Sequence, residues 1–312
     1  MRTERPTIKA PFEQTIYGTH ELAKVLCVEE GELIAAAERA PYSYSSFWLP
    51  KKTGGFRPIR PPGKHLRFIQ RRILRALEPR VRYPRWMMGG VPRRSILKHA
   101  LPHVGQTMVA TLDLESFFPS VKAMQVSFVF ERFAIGGPAL EALVRLTTLD
   151  DQLPQGSPVS CFLANLVIEP IDRRVHGLCR RHGLNFTRYI DDLAISGDRD
   201  LRSFRSAFTE IVECSGFTIS AKKPIRFMNR RGPQEVTNLI VNDKMRPTKK
   251  YIVSLKNDIW ECLRGAGPKK IALEHGVCVS RLKARMTGRV SYISTRNLHK
   301  PIRFPFGRRF AE

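Results

Sequence analysis

Two adjacent carboxylates, Asp191 and Asp192, stand in the stretch Phe186-Thr187-Arg188-Tyr189-Ile190-Asp191-Asp192-Leu193-Ala194-Ile195-Ser196. The apolar and β-branched residues on either side read as two short strands, with the acidic pair at the turn between them. Like charges at a hairpin tip repel, and core packing has no use for them there. Divalent cations do: Mg²⁺ takes hard carboxylate oxygens and keeps its remaining positions for water and substrate phosphates. A further carboxylate, Asp113, ends the apolar run Val109-Ala110-Thr111-Leu112 and is followed by Leu114-Glu115-Ser116-Phe117-Phe118. Three carboxylates on neighbouring strands of a strongly basic chain point to two-metal phosphoryl transfer on a nucleic acid. The plain alternatives are a solvated Asp-Asp turn and a strand-ending Asp.

The elements that must hold these residues are legible in outline. Residues 20–40 read as short helices, with Leu22, Val25 and Leu26 on one face and Leu33, Ile34 and Ala37 on another. Phe47 to Ile59 reads as a basic hairpin turning at Gly54-Gly55. Leu66, Ile69, Ile73 and Leu77 keep the spacing of an amphipathic helix studded with Arg67, Arg71, Arg72 and Arg75. A mixed αβ region follows, from 107 to 242. From Lys244 onward there are seventeen Lys/Arg against four Asp/Glu, laid over expected helices at 251–263 and 279–293. With 53 Lys+Arg against 28 Asp+Glu, the net charge of +25 implies a polyanionic partner. A hydrophobic content of 42% excludes a disordered basic tail. No apolar run reaches the roughly 18 residues of a membrane span. No apolar stretch follows the N-terminal charges either, so no secretory leader is expected. The six cysteines are scattered without any C-x-x-C, which argues against a zinc site or disulfide framework and fits a reducing cytoplasm.

Between the two acidic sites lies Leu153-Pro154-Gln155-Gly156-Ser157-Pro158, a rigid turn opening a helical run from Phe162 to Ile168. An aspartate strand, then Leu-Pro-Gln-Gly, then Tyr-x-Asp-Asp, in this order, resembles a reverse transcriptase, and one of retron type. The resemblance spans residues 20 to 298. It includes Arg57-Pro58-Ile59, Gly90 followed by Ser95-Ile96-Leu97, Gly216-Phe217-Thr218-Ile219 with Lys222-Lys223, and Val236-Thr237-Asn238-Leu239-Ile240. The chain departs from the retron pattern at three places. It has His99-Ala100-Leu101-Pro102-His103 for Asn-Ala-x-x-His, Asn238 for the Gly of Val-Thr-Gly, and Ile190 for Ala in the Asp-Asp motif. Asn tolerates left-handed backbone best among non-glycine residues, so the turn at 238 is expected to keep its shape.

The resemblance implies an α+β fold of right-hand polymerase architecture: fingers, a palm of antiparallel sheet backed by helices, and a short helical thumb. It divides the chain into an N-terminal helical segment (1–40), fingers (41–106), a palm (107–242, with part of the fingers at 125–155) and a basic helical thumb (243–312). It implies Asp113 and Asp191 as metal ligands, joined by the backbone carbonyl of Leu114. Strand alternation makes Asp192 a secondary ligand or charge partner. The ions would be two Mg²⁺, with Mn²⁺ a substitute. The nucleotide pocket would comprise Phe118 against the sugar 2′ position, Gln155, and the hairpin cations Lys51 and Arg57. Lys223, with Lys222 its rival, would protonate pyrophosphate. His103 would contact RNA or else cap a core turn, and Arg281, Lys283, Arg285 and Arg289 would bind RNA from the thumb. The implied activity is RNA-directed DNA synthesis on a structured noncoding RNA, primed from an RNA 2′-OH. The implied partners are that RNA, its RNA–DNA product, dNTPs and an effector or toxin protein encoded nearby, in anti-phage defence. Other bacterial reverse transcriptases (group II intron, diversity-generating, defence-associated) and a non-catalytic RNA-binding scaffold are the alternatives.

Overall fold

In the computed structural model the chain is described at residues 8–9, 11–50, 54–221, 224–264, 267–269 and 279–294. Helical periodicity governs its first part. α1 (Thr19–Leu26) buries Leu22 and Leu26, and α2 (Glu30–Arg39) buries Leu33, Ala36 and Ala37. At the start of α1, the Glu21 carboxylate accepts from the backbone N–H groups of Tyr17 (2.9 Å) and Gly18 (3.1 Å), donors that a helix N-terminus otherwise leaves open. Ile34 does not share the buried face of α2: it is 39% exposed, about 60° beyond the edge of the arc that Leu33, Ala36 and Ala37 define.

β1 (Phe47–Pro50) and β2 (Phe56–Ile59) pair antiparallel, Phe47 opposite Ile59 and Pro50 opposite Phe56. Gly54 and Gly55 supply the positive φ values (84° and 76°) of the connecting loop. α3 (Lys64–Leu77) then buries Leu66, Ile69, Ile73 and Leu77, as its spacing predicts, together with Gln70.

The central sheet has the order β4-β5-β3-β6, antiparallel throughout. It is built from β3 (Met108–Asp113), β4 (Asn185–Tyr189), β5 (Asp192–Gly197) and β6 (Arg226–Asn229). Interleaved with these strands are α4 (Ile96–Ala100), α5 (Phe117–Ser120), α6 (Ala123–Glu131), α7 (Gly137–Thr147), α8 (Ser160–Arg181) and α9 (Arg205–Glu213). Period-two alternation sends Ala110, Leu112, Leu193 and Ile195 to the large core beneath the sheet. α1, α2, α3, α6, α7 and α8 share that core.

On the opposite face, Val109, Ala194 and Met228 join a second core with Val236, Leu239 and Val241. This second cluster seats a small sheet of β7 (Glu235–Val236), β8 (Leu239–Ile240) and β9 (Arg246–Pro247) over the first. α10 (Lys249–Arg264) and α11 (Val279–Ser294) close the described chain, meeting at Cys262, Leu282 and Met286. Among the described residues no helix is long and apolar enough to cross a membrane.

Candidate active site

The register of the central sheet assembles the carboxylates. Asp113, the last residue of β3, lies directly opposite Asp192, the first of β5. Directly opposed residues of an antiparallel pair present side chains on one face. That face is the one turned toward the small sheet, since Val109 and Ala194 lie on it. Asp191 occupies the turn, and its carbonyl accepts from Leu114 N–H at 3.0 Å. Asp192 rather than Asp191 is the cross-strand neighbour of Asp113. All three are half-buried. The backbone around Asp113 is fixed from the other side too: Ser220 N–H donates to the Asp113 carbonyl (2.9 Å) and Glu115 N–H to that of Thr218 (2.8 Å).

The turn itself is strained and clamped. Ile190 has φ 61°, a left-handed value that is an outlier for a β-branched residue. Arg188 reaches under the turn from β4, fully buried. Its guanidinium donates to the Ile190 carbonyl (2.8 Å), to Asn165 Oδ1 (2.8 Å) and, in a fork, to both oxygens of the buried Asp172 (2.7–2.9 Å). Burial pushes the Asp172 carboxyl above its ordinary value, and the adjoining guanidinium opposes that rise. Asn165 donates in turn to the Gly89 carbonyl at 2.9 Å. Gly89 presses so closely on the turn that a Cβ there would lie 2.4 Å from Ile190 N, so no side chain fits. Cys161, at the start of α8, is held as a thiol by burial and then by the nearby Asp191 charge, which together raise its pKa. From above, Thr237 Oγ1 donates to Asp192 Oδ2 at 2.9 Å.

None of Arg188, Asp172, Asn165, Gly89 or Thr237 was singled out for a role by the sequence. The available signal was in α8. Asn165 and Asp172, seven residues apart, interrupt the stripe of buried apolar residues that runs through Ile168, Val175 and Cys179.

Among the described residues no three His, Cys, Asp or Glu side chains gather into a group that would enclose a metal by themselves. Mg²⁺ does not require one, being held by one or two carboxylates together with substrate phosphates and water. Asp113 and Asp192, side by side across the β3–β5 pair, offer two hard-oxygen carboxylates, which fits an ion held that way.

Three backbone segments bring the expected nucleotide-pocket residues toward one another. Phe118, in α5, is half-buried, its ring 5.5 Å from that of Phe117, which is core. The turn carrying Gln155 is bonded on one side to the segment after α5, through Leu153 N–H to the Val121 carbonyl (3.1 Å). On its other side the Gln155 carbonyl accepts from Arg60 N–H (2.7 Å), at the foot of the β1–β2 hairpin that bears the exposed Arg57. Lys51 and Lys223 lie outside the described residues.

Two expectations of RNA contact are corrected. His103 is fully buried, its ring bonded to Ser196 Oγ and Thr187 Oγ1, both at 2.7 Å. It has no surface to offer an RNA. Burial lowers its pKa to about 3, and that of His99 likewise to about 3. Thr187 Oγ1 also lies 2.8 Å from His99 Nδ1 and donates to the His99 carbonyl. The proton count that leaves no buried N–H orphaned has His99 Nδ1–H and His103 Nε2–H donating to Thr187, and Ser196 donating to His103. The unpartnered His99 Nε2 is then a bare lone pair. Arg289 is the second correction. It is bonded to Asp258 and to Ser254 Oγ (3.2 Å) and lies over the Tyr251 ring, so it clamps α11 to α10. Lys283 is exposed on α11; Arg281 and Arg285 share that helix, and their side chains lie outside the described part of the chain.

The chain is 36% identical over 219 residues to the Retron Mx65 reverse transcriptase of Myxococcus xanthus, across 64% of this chain and 51% of that protein. It is 29% identical over 229 residues to the Retron Ec86 reverse transcriptase of Escherichia coli, across 72% of this chain and 71% of that one. It thus spans about half the length of the first of these relatives. A solved telomerase from Candida albicans, in complex with a TWJ fragment of telomeric RNA, aligns over 82% of this chain and 57% of its own at 10% identity and a TM-score of 0.47. Residues 49–250 match the model of the family described as reverse transcriptase (RNA-dependent DNA polymerase), and the chain belongs to that family.

Proposed function

We propose that this chain is an RNA-directed DNA polymerase of retron type, copying part of a cognate structured noncoding RNA into DNA from an RNA 2′-OH. The observation that carries the reading is the pairing of Asp113 with Asp192, with Asp191 at the adjoining turn, in a chain similar to retron reverse transcriptases. Asp113, Asp191, Asp192 and the Leu114 carbonyl would hold two Mg²⁺ ions, for which Mn²⁺ can substitute. When bound, such ions lower the pKa of an attacking hydroxyl and neutralise the triphosphate and departing pyrophosphate. Phe118 stands where a ring excludes a 2′-OH from the incoming sugar, Gln155 orients the nucleotide from its turn, and Arg57 with Lys51 neutralises phosphate oxygens. Arg is the better of the two cations for this, because its guanidinium forks onto two oxygens. Lys223 is the proton donor to pyrophosphate. In this reading residues 41–106 act as fingers, 107–242 as palm and 243–312 as thumb, following the N-terminal helices of 1–40. The setting is cytoplasmic anti-phage defence beside an effector protein.

The test is to purify the chain from its host, sequence the nucleic acid that accompanies it, and assay dNTP incorporation with Mg²⁺. A short DNA branched from an RNA 2′-OH is expected, together with incorporation that Asp113→Asn and Asp191→Asn reduce to background while RNA binding persists. Incorporation without a branched product would indicate another bacterial reverse transcriptase. RNA binding with no incorporation at all would leave a scaffold.

A further inference from the structure

Two residues at the tip of the small sheet adopt left-handed backbone, which suits one of them and not the other. β7 and β8 pair with Glu235 opposite Ile240 and Val236 opposite Leu239, which leaves a loop of two residues, Thr237 and Asn238. Their φ values are 45° and 64°. Positive φ at both central positions is what a type I′ hairpin turn requires, and Asn-Gly, Asp-Gly or Gly-Gly are the pairs that suit it. Asn238 is tolerable there, as expected. Thr237 is not: a β-branched residue at positive φ is a genuine outlier. Such strain persists only where the surroundings over-determine it, and it concentrates at functional sites.

The surroundings here are specific. Val236 and Leu239 on either side are fully buried in the core shared with Val109, Ala194 and Met228, so the hairpin cannot lift away. The Asn238 carbonyl accepts from Thr248 N–H (3.3 Å), tying the turn to the chain after β9. Thr237 Oγ1 then donates to Asp192 Oδ2 at 2.9 Å, across 45 residues of sequence. Neither packing nor turn geometry asks for a hydroxyl at this position, since a Gly would satisfy both.

We infer that Thr237 is a positioning residue for the catalytic carboxylate Asp192, its strained backbone being the consequence of delivering a hydroxyl to Oδ2. This rests on the reading of Asp113 and Asp192 as catalytic. A hydrogen bond to a carboxylate fixes its rotamer and occupies one lone-pair direction of one oxygen. Asp192 Oδ2 is therefore oriented by the protein beside Asp113. The small sheet also becomes part of the active site, because a shift of the β7–β8 tip moves the carboxylate.

Four variants test this on the full chain: Thr237→Ser, Thr237→Val, Thr237→Gly and Asp192→Asn. Each is measured for thermal melting in the presence of a chelator, where no metal contributes, and for kcat and KM of dNTP incorporation. Thr237→Ser keeps the hydroxyl and is expected to retain activity. Thr237→Val keeps the shape and the strain but loses the donor. It is expected to lose roughly ten- to a hundredfold in kcat, the usual effect of removing an outer partner of a metal-site ligand, with little change in KM. Thr237→Gly relieves the strain and is expected to melt above Thr237→Val while being no more active. On an Asp192→Asn background, Thr237→Val should have little further effect. If Thr237→Gly is more active than Thr237→Val in step with its melting temperature, or if Thr237→Val matches the wild type, the residue is structural and the inference fails. Failure of the catalytic reading looks different: Asp192→Asn would then leave incorporation unchanged.

Discussion

At the scale of single residues, Arg188 has the largest consequence. A guanidinium and a carboxylate with no solvent exposure stay ionised in a protein interior only while each satisfies the other. Removing one partner leaves the other charge stranded, so Asp172→Asn or Arg188→Met is expected to cost about 3–5 kcal/mol of stability. Replacing both together, Arg188→Met with Asp172→Leu, should return much of that stability, because a well-packed apolar pair removes the desolvation penalty. Activity should not return with it, since the Ile190 carbonyl beside Asp191 would still lack its donor. Denaturant unfolding and primer extension on the same variants separate the two effects; a double variant that recovers both would reduce the clamp to plain packing. The acidic cluster proposed as catalytic stood out in the sequence and this clamp did not, for a physical reason. Adjacent like charges at a turn are anomalous in one dimension, where no neighbour along the chain explains them. Arg188, Asp172 and Asn165 are anomalous only once β4 is laid against α8, and each alone passes for an ordinary polar residue. His103 shows the converse, a residue whose type suggests RNA contact until its buried partners Thr187 and Ser196 are known.

α3, whose pattern repeats over several turns, was readable from spacing, while of α8 (Ser160–Arg181) only the run from Phe162 to Ile168 was. The stretch from Val236 to Ile240 reads in the sequence as one strand but folds as parts of β7 and β8 around a two-residue turn, and the order β4-β5-β3-β6 is not readable at all, because strand pairing depends on partners distant in sequence. The segment from α4 to Val104 belongs to this harder class. It is tied to the central sheet by His99 and His103, which bond to Thr187 of β4 and Ser196 of β5. Both rings are neutral in the fold, with pKa values lowered from 6.5 to about 3 by burial and, for His99, by the neighbouring His103 and Arg188. In the unfolded chain they bind protons near 6.5. The unfolded state thus holds more protons between these values, and stability falls as pH drops. The stabilisation is whole above about pH 6.5 and is lost progressively toward pH 3. Melting temperatures measured from pH 7.5 down to 4.5 should therefore decline more steeply in the wild type than in a His99→Gln, His103→Gln double variant. Parallel declines would mean that the carboxylates of the chain, and not this histidine pair, govern its acid sensitivity.

For the whole molecule the governing quantity is a net charge of +25, far more than a small active site needs. Affinity for a polyanion built from such charge arises largely from counterion release and varies steeply with salt. Affinity alone does not choose one RNA over another, because phosphate contacts carry no sequence information. Selectivity requires cations at fixed spacing, and α10 and α11 are fixed relative to each other by Arg289 with Asp258 and by the packing of Cys262, Leu282 and Met286. Lys249, Lys250, Lys256 and Lys283 are exposed on these two helices, so their charges are free to meet phosphate without dismantling the pair. Replacing all four by Ala is expected to lower the salt slope of RNA binding by roughly 0.7–0.9 for each phosphate that is no longer neutralised. If the helices match a folded RNA, binding of the RNA that accompanies the protein from its host should weaken more than binding of a random duplex. Synthesis on a generic primer–template at low salt should persist, because Asp113 and Asp192 are carried by β3 and β5 and not by these helices. Arg289→Ala makes the complementary case: it should weaken recognition by loosening the helix pair, with a fall in thermal stability that the lysine variants do not share. Equal weakening for both RNAs across the lysine variants would make α10 and α11 an unselective electrostatic arm.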